Sequence, residues 1–391
     1  MNHVASSNRI HIAFFGMRNA GKSSVVNQIT SQDLSVVSDV KGTTTDPVRK
    51  SMELLPLGPV VIIDTPGMDD EGELGQLRVK KTIAVLDETD IAVLVLDATK
   101  KMGNPEQDLL QELKKRNLPY IIAYNKIDLM EEIPLPKDRE IYISAKTGYH
   151  INALKEKLGA FAKTMESDKK MIADLLEEKD FVVCVIPIDE AAPKNRLIMP
   201  QQMAIRDILD AHASVISCQV EELDGIMKVF HDHIKMVITD SQAFGAVASI
   251  VPDDIMLTSF SILMARFKGE LEILKNGADM LSDLHDGDYV LIAESCTHHR
   301  QCNDIGTVKL PAWITGFSKA KLNFEFVSGG EFPDDLSKYR LIVHCGGCMI
   351  NESLMKNRLR LAKEQNVPIV NYGMAIAKIH GILARSLEPF L

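Results

Sequence analysis

The chain has 391 residues, 46% of them hydrophobic and 25% charged, enough for two or three ordinary domains and polar enough for an aqueous fold. With 44 basic against 54 acidic residues the net charge is −10, which argues against a general electrostatic grip on nucleic acid or anionic lipid. Six cysteines, no secretory leader and no apolar run of membrane-spanning length point to a reducing interior, so a cytoplasmic location is expected, with neither membrane nor nucleic acid as partner.

From Arg9 to about Met165, strand and helix patterns alternate. Ile10–Phe15, Val60–Asp64, Ile91–Asp97, Tyr120–Tyr124 and Glu140–Ser144 read as strands, which predicts an α/β, doubly wound P-loop domain over residues 1–168. Gly16-Met17-Arg18-Asn19-Ala20-Gly21-Lys22-Ser23 follows the first strand and opens a helix, the context in which such a loop cradles phosphates. The glycines let backbone amides wrap the anion, Lys22 reaches the β and γ phosphates, and Ser23 ligates magnesium at a helix amino terminus. Ala20 and Ser24 complete this contact set.

Asp64-Thr65-Pro66-Gly67 ends the second buried strand, so Asp64 can reach the magnesium shell and the Gly67 amide can sense the γ-phosphate. Between the two motifs lies Gly42-Thr43-Thr44-Thr45-Asp46, where a switch loop belongs. Thr44 is the best candidate there for a second magnesium ligand, with Thr43 and Thr45 still open. Lys22, Thr44, Asp64 and Gly67 form the expected catalytic set.

Asn125-Lys126-Ile127-Asp128 follows the fourth strand, and the Asp128 carboxylate can accept from the N1 and N2 positions of guanine, a donor pair that adenine lacks. Ser144-Ala145-Lys146 supports the base from the other side. Four ordered motifs therefore specify GTP and GDP. The residue after Gly67 is Met68, so the glutamine that orients the attacking water in many GTPases is missing, slow hydrolysis is expected, and another charge must assist. Asn19 resembles the loop asparagine of MnmE- and Era-class GTPases, whose potassium-activated members use it to hold a monovalent cation. A potassium-stimulated GTPase is the expectation.

Glu166-Ser167-Asp168-Lys169-Lys170 reads as a linker or the solvated face of a continuing helix. A middle region, 169–265, carries strand patterns at Phe181–Ile186, Ser214–Gln219 and Lys235–Thr239. The apolar stretch Ile255–Leu274 has helical spacing and leads into a last region, 266–391. There Tyr289–Ala293, Phe324–Val327, Arg340–His344 and Pro368–Asn371 suggest a second, mainly parallel sheet.

Two of those strands end where cysteines begin. Cys296-Thr297-His298 follows the first, and His344-Cys345-Gly346-Gly347-Cys348 follows the third. Ligands would sit on loops beyond the carboxyl ends of strands, with Gly346 and Gly347 allowing a tight turn. Three thiols are one short of the usual four of an iron-sulfur centre. His298 or His344 could instead close a zinc tetrahedron, so iron and zinc both remain open on spacing. Cys184 and Cys218 fall in strand-like apolar runs as core residues, and Cys302 is a spare on the first loop.

The GTPase motifs followed by Cys-x-His and, after a long spacer, His-Cys-x-x-Cys resemble the HydF family of FeFe-hydrogenase maturation GTPases over essentially the whole chain. That resemblance implies three domains: a GTPase, a small α/β dimerisation domain and an α/β domain binding a 4Fe-4S cluster through Cys296, Cys345 and Cys348. His298 and His344 would ligate the fourth iron or tune it by hydrogen bonds, and Asp189, in a polar turn, is a further candidate ligand beside its alternative role as a turn residue. It implies a homodimeric scaffold that carries the two-iron subcluster precursor as cargo. The implied partners are apo FeFe-hydrogenase and the radical-SAM maturases HydE and HydG. The competing reading is an MnmE/Era-like GTPase of RNA modification or ribosome assembly with a structural zinc site, against which the acidic balance and lack of an aromatic-basic tract weigh.

Overall fold

A computed structural model describes the chain except for residues 1–5, 32–45, 69–80, 166–169, 189–196, 270 and 296–303. Its internal packing divides the chain into two units, Met1–Ser167 and Asp168–Leu391.

The first unit is a six-stranded sheet in the order β2-β3-β1-β4-β5-β6. Its strands are β1 Ile10–Phe15, β2 Val48–Leu54, β3 Gly58–Asp64, β4 Ile91–Asp97, β5 Tyr120–Asn125 and β6 Glu140–Tyr142. The central strands are nearly unbroken runs of buried aliphatic residues, the pattern of a parallel sheet covered on both faces. Side chains alternate between faces. Ile12 and Phe14 join Val25, Ile29 and Leu158 in one core, whereas Ala13 and Phe15 join Leu94, Leu109 and Leu113 in the other. Each fully buried Ile or Leu contributes about 1.5–3 kcal/mol through area removed from water.

Strand β2, absent from the sequence expectation, runs antiparallel to β3 at the sheet edge, Val48 opposite Asp64. Most of its residues are exposed, including Arg49 and Lys50, so it carries no apolar signature. Charged residues on an edge strand also discourage pairing with other chains.

The second unit holds two parallel four-stranded sheets, β10-β9-β7-β8 and β12-β11-β13-β14. The first comprises β7 Phe181–Val185, β8 Ser214–Cys218, β9 Ile234–Thr239 and β10 Met256–Ser259. The second comprises β11 Tyr289–Glu294, β12 Asn323–Ser328, β13 Tyr339–His344 and β14 Ile369–Asn371.

The expected single helical stretch Ile255–Leu274 is corrected here to β10 followed by two helices, Phe260–Lys268 and Leu271–Asp279. Ser259 starts the first helix, its hydroxyl accepting from Ile262 N at 3.2 Å, and Gly269 follows its last turn. An apolar run buried on all sides cannot reveal by periodicity where strand gives way to helix. The helix Phe260–Lys268 lies under both sheets. Phe260, Leu263 and Met264 join the core of the first, with Val182 and Met236, and Ile262 and Ala265 join a larger core that includes Val290 and Ile342. The division expected after residue 265 falls inside this helix. No helix among the described residues is long and apolar enough to cross a membrane.

Candidate functional site

At the carboxyl end of β1 the backbone turns through Gly16 at φ +148, Asn19 at φ +61 and Gly21 at φ +89, and the helix Lys22–Thr30 begins at once. A Cβ on Gly16 would stand 2.2 Å from Val95 O, and one on Gly21 2.3 Å from Asn125 Nδ2, so close approach as well as conformation demands glycine at both. Lys22 is buried, its Nζ donating to Gly16 O at 3.0 Å and Met17 O at 2.9 Å. Ser23 Oγ donates to Asp64 Oδ2 at 2.7 Å. The other carboxylate oxygen of Asp64 is buried without a hydrogen-bond partner among the described residues. A hydroxyl and an acceptor oxygen left over at the first turn of a helix fit a magnesium shell, in which Ser23 and Asp64 would hold the ion or its waters.

The base-side motifs are tied to the phosphate loop and to one another. Asn125 is buried at the end of β5; its Nδ2 donates to Ala20 O at 3.0 Å and its Oδ1 accepts from Ala145 N at 2.9 Å. Ser144 Oγ donates to Asp128 Oδ1 at 2.6 Å, fixing the carboxylate plane. Lys126 Nζ donates to Asp97 Oδ2 at 2.7 Å. Burial alone would raise the Asp97 carboxyl, but hydrogen bonds from Lys126 and Thr99 outweigh it and hold the group below its ordinary range.

Asp97 was missed in the sequence, though it ends a buried strand directly beside Asn125, the position where a functional carboxylate belongs. It also lines a cavity of about 210 Å³ beside the phosphate loop, with Arg18, Lys100 and Glu106. Gly16, Asn19, Ala20, Gly21, Lys22, Ser23, Ser24, Asp64, Gly67, Asn125, Lys126, Asp128, Ser144, Ala145 and Lys146 all lie on this rim of helix starts and strand ends. Thr44 lies outside the described residues; Asp46, just after it, pairs with Lys81 at 2.6 Å.

In the second unit β11 and β13 lie side by side, Ala293 opposite His344, and Cys345 N donates to Ala293 O at 2.9 Å. The thiol of Cys345 thereby meets Ser295, whose N–H donates to Cys345 Sγ at 3.1 Å and whose hydroxyl lies 3.0 Å from it. Ser295 is the residue immediately before Cys296. Cys296, His298, Cys302 and Asp189 lie outside the described residues. Among the described residues no cluster of three or more His, Cys, Asp or Glu side chains could hold a metal ion.

His344 is fully buried, and both its ring nitrogens are engaged. Nδ1–H donates to Cys345 O at 2.6 Å, and Nε2 accepts from Arg358 Nη1 at 2.8 Å. Burial and the neighbouring guanidinium push the imidazole down to about 3, which keeps it neutral. Arg358, itself 2% exposed, also donates to Gly329 O at 2.7 Å and lies over the Phe332 ring. It comes from the helix Glu352–Glu364, which Asn351 caps through Leu354 N at 3.2 Å.

The loop between the two cysteines turns at Gly347, φ +68; Gly346, expected to share that role, has no such backbone. Burial and Cys345 raise the Cys348 thiol, while Lys268 draws it down. Beneath the loop Tyr372 OH donates to the buried Glu294 at 3.4 Å, and burial raises the phenol well above its ordinary value. Ser295 and Glu294 had one signal in the sequence, polar residues closing a buried strand. Arg358 had none, because a lone arginine in a polar-rich helix reads as surface.

The model of the hydrogen maturase F dimerization domain matches residues 171–269, and that of the hydrogen maturase F tetramerization domain matches 272–389. Together they span more than half of the chain. The chain belongs to the hydrogen maturase F family. A 50S ribosome-binding GTPase model matches residues 11–126, and with the sheet order and phosphate loop above it makes the first unit a P-loop GTPase domain.

The tRNA modification GTPase MnmE of Thiobacillus denitrificans is 31% identical over 148 residues, covering 38% of this chain and 32% of that protein. GTPase Der of Kosmotoga olearia is 32% identical over 176 residues, covering 40% of each. The chain thus spans about a third to two fifths of the length of these curated relatives. A crystal structure of Era from Aquifex aeolicus is 18% identical, covers 56% of this chain and 97% of that one, and has a TM-score of 0.35.

Proposed function

We propose that this protein is a GTP-hydrolysing scaffold of FeFe-hydrogenase maturation, which binds a 4Fe-4S cluster through Cys296, Cys345 and Cys348 and delivers a two-iron subcluster precursor to apo-hydrogenase. The observation that carries the reading is one chain in which a complete guanine-nucleotide site precedes two maturase-specific segments, with Cys345 seated beside the residue that leads into Cys296. Cysteine-bound iron with one position left to an exchangeable ligand supplies a place where cargo arrives and leaves by substitution.

Around that place the protein's own residues set the conditions. Ser295 donates to the Cys345 sulfur and holds it in place. His344 has no free nitrogen, which supports a supporting role for it over ligation. Asp189 and His298 remain proposed sources of the fourth ligand or its surroundings. The domain limits proposed are 1–168, 169–269 and 270–391, the expected limit at 265 moved to the end of the helix Phe260–Lys268, with dimerisation through the middle part. The name of the model matching the last part extends this to a tetramer.

In the GTPase unit, water attacks the γ-phosphorus as the bond to the β-phosphate oxygen breaks, giving GDP and phosphate. Lys22, with the loop amides, stabilises the phosphate charge, and Ser23, Asp64 and Thr44 hold magnesium. Asn19 holds potassium where Met68 leaves no glutamine, so turnover should be faster in potassium than in sodium; equal rates remove that part. HydE and HydG are the proposed suppliers of cargo in a cytoplasmic setting. The RNA-directed alternative rests on the amino-terminal unit alone, and tight RNA binding with a steep salt dependence would revive it.

The test is anaerobic reconstitution with iron and sulfide, read by absorbance, electron paramagnetic resonance and iron content. Wild type should take up four irons per chain, about the 4Fe-4S complement. Changing any one of the three cysteines to serine should abolish most of the uptake. A colourless protein after faithful loading, or one that binds only zinc, overturns the reading.

A further inference from the structure

Lys268 ends the helix Phe260–Lys268 and is only 3% exposed, unusual for a residue whose charge is best solvated. Its Nζ donates to Ile350 O at 2.8 Å and to Gly347 O at 3.4 Å. These carbonyls bracket Cys348, one residue before it and two after. The opposite end of the same helix also holds this region. Ser261 O accepts from Asn371 Nδ2 at 2.8 Å and Ser261 Oγ from Gly373 N at 3.2 Å, and a Cβ on Gly346 would lie 3.7 Å from that hydroxyl. A helix from the middle segment thus ties the cysteine loop by hydrogen bonds from Lys268, while Ser261 at its other end holds Asn371 and Gly373 and packs beside Gly346.

A buried charge acts on its neighbours with little screening, since the local dielectric is far below that of water. Held on the carbonyls of Gly347 and Ile350, the amino group of Lys268 is placed to act on Cys348 between them and on what that residue binds. Resting on the cluster-binding reading above, we propose that Lys268 is a positioning residue of the iron-sulfur site: its buried amino group fixes the backbone on both sides of Cys348, and its charge favours the reduced cluster. The site's affinity and potential would then depend on the middle segment, matched by the dimerization model, as well as on the region that carries the cysteines.

The experiment uses the full chain, reconstituted anaerobically, as wild type, Lys268→Arg and Lys268→Gln. Arginine keeps the charge, and glutamine keeps a donor without it. Iron loss to a chelator and the midpoint potential from a paramagnetic-resonance titration are read, with circular dichroism as the measure of folding. The glutamine variant should lose iron at least about tenfold faster, the scale of supporting-residue changes at metal sites. Its midpoint should move negative while that of the arginine variant stays near wild type. A glutamine variant with wild-type folding that holds no iron at all also supports the proposal. Wild-type retention and midpoint in the glutamine variant, or equal shifts in both variants, overturn it. A wild-type protein that takes up no iron brings down the underlying reading, a result plainly different from a loaded wild type matched by its variants.

Discussion

At the nucleotide site the anchoring side chains belong to the motifs themselves, Asp97 beneath Lys126 excepted: Asn125 reaches Ala20 and Ala145, Ser144 holds Asp128, and Ser23 meets Asp64. At the cysteine loop the anchors come from outside it, Ser295 from the end of β11, Arg358 from the following helix and Lys268 from the helix Phe260–Lys268. Both sites sit at the carboxyl ends of parallel strands, so the sheet alone does not distinguish them. The contrast lies in where the supporting hydrogen bonds originate, and it fixes what each site tolerates.

The largest effect tests the self-contained site. Asp128→Ala should lower discrimination of GTP over ATP by on the order of 10⁴, because the donors of guanine lose the acceptor that Ser144 holds for them; competition binding measures it, and retained discrimination would move base recognition elsewhere. Two glycines with the same left-handed backbone then separate the regions. Gly21→Ala should cost about 3 kcal/mol, since strain adds to displacement of Asn125 Nδ2 from its two-sided tie. Gly347→Ala should cost only about 1 kcal/mol, mostly strain, because its Cβ would meet Met355 and Ile350 at ordinary distances of 3.6 and 3.7 Å. Between these two falls Arg358→Met, which takes the donor from His344 Nε2 and Gly329 O and should destabilise the second unit by about 2 kcal/mol in denaturant unfolding. An unchanged midpoint would show the loop to be as self-contained as the phosphate loop.

The smallest effect concerns pH. The Arg266 hydrogen bond holds the Asp174 carboxyl below its ordinary 3.8, so the pair's contribution is present above that value and fades as pH falls beneath it toward the lowered one. The carboxylate is 43% exposed, so less than about 1 kcal/mol is at stake. Asp174→Asn should flatten the acid limb of the stability curve by that amount; an unaltered limb would mean that water already screens the pair.

Legibility in the sequence followed the same contrast. Strands β1 and β4 read out with their observed ends because both faces are buried and turn chemistry follows at once. Strand β2 escaped because Arg49, Lys50 and Ser51 face solvent at an edge, and β10 because Met256–Ser259 merges into an apolar run that continues as helix. The phosphate and guanine motifs were legible since their spacing is their geometry. Arg358 and Lys268 act across 14 and 79 residues or more, and nothing in their local sequence marks them as interior. Asp97 was readable in principle, as a carboxylate closing a buried strand.

The helix Phe260–Lys268 contributes apolar residues to the cores beneath both sheets of the second unit. Its removal with either sheet would strip the other of part of its interior, so neither sheet should survive alone as a soluble fragment. Heat should melt the pair in a single calorimetric step, and a protease cut near Gly269 should be followed by digestion of both halves.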